Sequence, residues 1–178
     1  DEVGGESDGA GVAEVWATGR CGPRKWGRMA VKGAPPGGRG YAASAFDSAG
    51  GGRFVFGGEG GGYRGDLWEL QTQGAGAPQW IQLDPGTGPG PRHSSSLVYD
   101  PVGNQLVMFG GWDSASLGDL WFFDLNTNTW FQQSTAGTPP AARYGQCAMY
   151  DSVNQRMVMF FGCTTLAVRE TWALSLGG

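Results

Sequence analysis

Residues 106–121 read LVMFGGWDSASLGDLW, and the fold turns on them. An apolar run of strand character meets a glycine pair, crosses a polar loop and lands on Asp-Leu-Trp. The same progression occurs at residues 54–68 (FVFGGEGGGYRGDLW) and, with a lapse, at residues 157–172 (MVMFFGCTTLAVRETW). Self-similarity at a fixed period is the mark of a repeat architecture, and it changes the meaning of every other feature.

The register is set by three arginines. Arg39, Arg92 and Arg143 each follow a proline by three residues (Pro36, Pro89, Pro140) and precede an aromatic-Asp pair by seven (Phe46-Asp47, Tyr99-Asp100, Tyr150-Asp151). Seventeen residues after each arginine a phenylalanine closes an apolar run (Phe56, Phe109, Phe160), followed by Gly57-Gly58, Gly110-Gly111 and Phe161-Gly162. Twelve residues further stands a tryptophan: Trp68, Trp121 and Trp172. After a variable hairpin, second tryptophans follow at Trp80 and Trp130. The beginning of the chain fits the same ruler through Gly4-Gly5, Trp16 and Trp26, so the chain starts inside a repeat.

The arginines are 53 and 51 residues apart, against roughly 50 for the kelch unit. The glycine pairs, the "DLW" tryptophans and the second tryptophans together resemble the kelch repeat family over nearly the whole chain. The resemblance implies an all-β, kelch-type β-propeller segment of four-stranded antiparallel blades. It implies an incomplete propeller or part of a longer one, because such propellers usually have six or seven blades.

The divisions expected are a partial blade at 1–34 (end of strand b, then c and d), blades at 35–87 and 88–138, and a partial blade at 139–178 (strands a, b and c). In the second full unit the strands are expected near 93–99, 105–109, 119–124 and 129–133. The turns "DSAGGG", "DPVGN" and "DSVNQ" join a to b, since Asp, Pro, Asn and Gly each favour turn geometry. The glycine pair ends strand b where backbone approaches closely or φ is positive. The strand-c tryptophan buries a large flat area between one blade and the next.

Composition agrees with such a fold. The chain has 34 glycines and 10 prolines punctuated by strand-like runs, with 40% apolar residues for a core. A formal charge of −4 removes the overall electrostatic footprint of a nucleic-acid binder, leaving only a local patch open. Three cysteines (Cys21, Cys147, Cys163) at unrelated spacings suggest neither a disulfide framework nor a metal site, and mildly favour a reducing compartment. No apolar run reaches membrane-spanning length, and the acidic opening lacks the features of a signal peptide. An intracellular, cytoplasmic protein without cofactor or metal is the expectation.

Repeated residues are expected to serve the scaffold. Arg39, Arg92 and Arg143 are expected to bind backbone carbonyls or acidic neighbours near the inner strand; the competing reading is a ring of ligand-facing guanidiniums. Asp66 and Asp119, with Glu14 and Glu170 at the same place, are expected to be acceptors at strand ends. Non-repeated residues are the functional candidates. Trp112 is the one tryptophan of eight outside the repeat, in a b-to-c loop where other copies carry Glu6, Glu59 and Cys163; partner contact and local packing compete for it.

In the kelch family the face bearing the b-to-c loops often takes up protein ligands. The resemblance therefore singles out Glu59, Tyr63 and Arg64, then Trp112, Asp113 and Ser114, then Thr164, Thr165 and Arg169. Arg20, Arg24, Lys25, Arg28 and Lys32 form a basic strip, read either as a solvated edge or as a dock for an acidic protein or RNA backbone. "GGEGGGYRG" lacks the GK[ST] ending of a phosphate loop. His93, the single histidine, supplies neither a Ser-His nucleophile nor the two histidines of the kelch-type copper oxidases.

The function expected is a non-enzymatic scaffold that presents propeller loops to a protein partner. The alternatives are a structural subunit docked through blade edges, and a fragment of a kelch-type enzyme whose site lies outside this sequence.

Overall fold

The computed structural model describes residues 16–18 and 26–177. Thirteen strands form four antiparallel sheets in chain order. The first is the hairpin β1 (Trp16–Thr18) with β2 (Trp26–Arg28). The second is β3 (Ala43–Phe46), β4 (Arg53–Phe56), β5 (Leu67–Gln71) and β6 (Gln79–Asp84). The third is β7 (Ser96–Asp100), β8 (Gln105–Trp112), β9 (Ser116–Asp124) and β10 (Thr129–Gln133). The fourth has three strands, β11 (Cys147–Asp151), β12 (Arg156–Phe160) and β13 (Thr171–Ser175). Each sheet is a meander in which neighbours in sequence are neighbours in space.

The sheets pack face to face, and strand alternation decides which residue enters which seam. On β8, Leu106 and Met108 join Phe54, Phe56, Leu67 and Phe123 in the cluster between the second and third sheets. Val107 and Phe109, one residue out of phase, join Leu120, Met157 and Met159 in the cluster between the third and fourth. The third sheet is covered on both faces, and every residue of β7 is buried. The first strands of the blades meet in sequence, β3 adjoining β7 and β7 adjoining β11.

The a-to-b turns are closed by their aspartates. Asp47 accepts from the Ala49 and Gly50 amides, Asp100 from that of Val102, and Asp151 from those of Val153 and Asn154. These are Asx turns, in which the side chain replaces a backbone acceptor.

Strand limits differ from expectation at the glycine pair. β8 runs through Gly110-Gly111 to Trp112, and β9 begins at Ser116, with the ladder shifting between Phe109 and Gly111. In this sheet the glycines make a bulge, whereas β4 and β12 end at Phe56 and Phe160, just before the pair, as expected. Equivalent isolated bridges at Glu59↔Tyr63 and Cys163↔Ala167 place all three b-to-c connections in hairpins beyond the bulge. Strand a starts later than expected, because His93 pairs with Trp112 as a separate bridge and Ser94 takes a positive φ of 54° before β7 begins.

Candidate functional site: the loop face and the arginine locks beneath it

The three repeat arginines occupy one geometry. Arg39 donates to the Gly37 and Gly57 carbonyls and, through both terminal nitrogens, to Asp66 at 2.6 and 2.9 Å. Arg92 donates to the Gly90 and Gly110 carbonyls and to Asp119 at 2.6 Å. Arg143 donates to the Ala141 and Phe161 carbonyls and to Glu170 at 2.6 Å. In each blade the strand-c tryptophan then donates its Nε1–H to the same carboxylate: Trp68 to Asp66, Trp121 to Asp119 and Trp172 to Glu170. One guanidinium thus fastens the start of strand a to the glycine bulge after strand b and to the acid before strand c.

The carboxylates respond to this environment. Burial pushes Asp66 and Asp119 up, but bonds from the arginine and tryptophan outweigh it and hold both below the ordinary 3.8. Glu170 is held down by its bonds from Arg143 and Trp172. The arginine side chains keep only 6%, 5% and 1% of their exposure, so all three guanidiniums are spent within the blades.

The glycine pairs serve the seams. Gly57 has a φ of 65°, and a Cβ there would run into the Arg92 carbonyl of the following blade. Gly110, also at 65°, stands in the same relation to the Arg143 carbonyl. The second glycine of each pair donates its amide to that same carbonyl, Gly58 to Arg92 and Gly111 to Arg143, both at 2.9 Å.

Above these locks lies the face of the b-to-c hairpins. Glu59 pairs with Gly40 and Tyr63, and Arg64 is exposed with one nitrogen on the Gly60 carbonyl. Trp112 is half-buried and meets the Tyr144 ring of the next blade edge-on at 4.9 Å. Asp113 and Ser114 form the exposed tip of that hairpin, Ser114 at a φ of 92°. Thr164 accepts from Ser116 Oγ at 3.3 Å, tying the third and fourth blades together across the face, while Thr165 and Arg169 are exposed.

The structure adds three residues to this group. His93 lies between Tyr41 (centroids 5.7 Å apart) and Tyr63 (5.1 Å), with Nδ1 2.9 Å from Ser94 Oγ. Tyr41, Tyr63, His93, Trp112 and Tyr144 make an aromatic row drawn from three blades. Tyr41, His93 and Tyr144 were legible only as the variable positions just after each repeat arginine.

Of the basic strip, Arg20, Arg24 and Lys25 lie outside the described residues. Arg28 ends β2 and is exposed, and the exposed Lys32 bridges Gln79 by its backbone. Trp16 and Trp26 open β1 and β2, and Trp80 is half-buried on β6. Among the described residues Cys147 and Cys163 are free, no group of three or more His, Cys, Asp or Glu gathers as for a metal, and no helix is long and apolar enough to cross a membrane.

Comparison with known proteins places this geometry in a family. Human host cell factor 1 is 33% identical over 114 residues, covering 61% of this chain and 6% of its own length. Dynein regulatory complex subunit 7 of Chlamydomonas reinhardtii is 39% identical over 79 residues, covering 43% of this chain and 7% of its own. The chain therefore spans a small part of these relatives. Among solved structures, that of YjhT superposes with a TM-score of 0.62 at 16% identity, over 80% of this chain and 46% of its own, a likeness of fold. The family model for the KLHDC2/KLHL20/DRC7 Kelch-repeats domain matches residues 3–177, and the chain belongs to that family.

Proposed function

We propose that the chain is a non-enzymatic interaction scaffold whose b-to-c face takes up a protein partner. The observation that carries this reading is the aromatic row, and within it Tyr41. This tyrosine sits at a φ of 54° with 72% of its surface exposed, where the equivalent positions are Ser94 and Gly145. A bulky residue held in left-handed backbone and largely exposed, where the equivalent positions carry small residues, costs stability, which is the pattern of a residue kept for contact. Tyrosine and tryptophan are also the side chains that most often anchor interfaces. One relative points the same way, being by name a subunit of a dynein regulatory complex.

Glu59, Arg64, Asp113, Ser114, Thr165 and Arg169 form the polar rim in this reading. The test is capture of partners from the native source, followed by affinity measurement with Tyr41→Ala, Tyr63→Ala and Trp112→Ala. Each is expected to weaken binding by about tenfold or more with an unchanged circular dichroism spectrum. Retention of the partner by all three, with loss on reversing the charge of Arg28 and Lys32, would transfer the function to the blade edge.

A further inference from the structure

The b-to-c hairpins repeat one backbone arrangement with different side chains, and the differences gather around Glu59. Gly40 and Glu59 exchange two backbone hydrogen bonds, as do His93 with Trp112 and Tyr144 with Cys163. Glu59, Trp112 and Cys163 therefore hold one place in successive blades, and Gly40, His93 and Tyr144 another. From its place Trp112 reaches the following blade and meets the Tyr144 ring. Glu59 is set to project in the same way, toward His93.

The surroundings of this acid are aromatic. The Arg64 amide donates to the Gly58 carbonyl at 2.9 Å and the Gly60 amide to the Gly62 carbonyl at 3.1 Å. Glu59 and Tyr63 thus oppose each other as a pair without mutual hydrogen bonds, the arrangement that brings side chains on one face closest. The Tyr63 ring lies 5.1 Å from that of His93 at a tilt of 57°, and the Tyr41 ring 5.7 Å from it at 47°. Neither tyrosine stacks flat on the imidazole, so ring faces stay uncovered, and Tyr41 and Tyr63 are 72% and 38% exposed. On the other side of the acid a Cβ added at Gly40 would meet no atom of the described residues within 4 Å.

We infer that Glu59, Tyr41, Tyr63 and His93 form a receptor for one arginine side chain of the protein partner, an inference that rests on the loop-face reading and gives its anchor a chemistry. Charge complementarity selects the guest. The carboxylates of Asp66, Asp119, Glu170 and Asp151 are each held by an arginine of the chain, whereas among the described residues that of Glu59 forms no ion pair. Arg64, close by in sequence, turns a terminal nitrogen to the Gly60 carbonyl instead. Aromatic faces attract a cation, and an unpaired acid beside them adds an acceptor. A guanidinium meets both demands, because its plane stacks on a ring while its edge donates to a carboxylate. A lysine ammonium offers only a point charge, and a trimethylated one has no N–H to donate. The scaffold does not require this group. One seam further on, the places of Glu59, Tyr41, Tyr63 and His93 are held by Trp112, Ser94, Ser116 and Tyr144, and the acid and both tyrosines are gone.

The test titrates N-acetyl-arginine N-methylamide into the protein and follows backbone amide chemical shifts, with the citrulline and lysine counterparts in parallel. Weak, saturable shifts centred on Tyr41, Glu59, Tyr63 and His93 are expected for arginine. The uncharged citrulline probe is expected to give none. Affinity is expected to fall about threefold or more with the lysine probe, with Glu59→Gln, and with Tyr41→Asn, a change that keeps the left-handed backbone. Both variants are read with unchanged far-ultraviolet dichroism. Equal shifts from citrulline overturn the inference, as do equal binding of lysine or an unchanged affinity in Glu59→Gln. Capture of the partner separates this inference from the reading beneath it. Retention by Glu59→Gln together with loss in Tyr41→Ala overturns the arginine receptor and leaves the loop face standing. Retention by Tyr41→Ala, Tyr63→Ala and Trp112→Ala alike overturns both.

Discussion

At the scale of single residues, the strongest device is a buried arginine that satisfies two carbonyls and a carboxylate at once. Arg92 is 4% exposed, and without it the Gly110 carbonyl would lose its donor and Asp119 would keep only the bond from Trp121. Breaking a buried pair by removing one partner leaves an uncompensated charge. Arg92→Met is expected to cost about 3 to 5 kcal/mol, measured by urea denaturation. The carboxylates make the same lock pH-dependent. Asp66 and Asp119 titrate below 3.8 in the fold and Glu170 below 4.5, so the unfolded chain binds more protons as pH falls. The stability they add is complete above these ordinary values and is lost as pH drops through the lowered folded ones. Asp151, brought down to about 2 by bonds from Asn154 and Arg156, acts in the same direction between 3.8 and about 2. Urea midpoints at pH 7, 5 and 3 are expected to be flat over the first interval and to fall over the second, less steeply in Asp119→Asn.

At the scale of elements, the glycine pair is read differently by the two sides of the strand. Within the blade it makes a bulge that carries the chain into the hairpin; between blades it admits the next arginine carbonyl. Gly110→Ala faces both a left-handed φ and a collision with the Arg143 carbonyl, and is expected to cost about 2 kcal/mol or more. Phe161 is at the same backbone position and meets no following arginine carbonyl among the described residues, so in this chain Phe161→Gly is expected to leave stability within about 0.5 kcal/mol, the left-handed penalty and the glycine entropy offsetting each other. Calorimetry on the two variants measures this asymmetry. The positions of the pair were legible as a repeat; the bulge was not, because a sequence pattern locates a glycine without saying whether the ladder resumes beyond it.

At the scale of the whole molecule, the three locks are graded by what covers them. The acid side chains of Asp66, Asp119 and Glu170 are 15%, 21% and 49% exposed. The first two are roofed by the entry of the following blade: Gly65 packs against Pro89 and Pro91, and Gly118 against Ala142. Half-exposed pairs are screened by water. Glu170→Gln is therefore expected to lower the urea midpoint less than Asp119→Asn does in parallel titrations. The arrangement behaves as a stack in which each unit completes its neighbour, and of the three acids Glu170 is the least covered.

The sequence by itself determined the repeat, the all-β architecture and the residues of each lock, because a blade needs the same packing and the same polar contacts in every copy, and necessity repeated at a fixed interval is visible in one dimension. It also marked Trp112 by its departure from the repeat. Only the tertiary structure decided that Tyr41, Tyr63 and His93 meet, since they are distant in the chain and tied to no motif. Only the packed seam showed that Glu59 stands beside these rings with no ion pair among the described residues. A binding site is a relation among surfaces brought together by folding, and no residue in the sequence carries its outline.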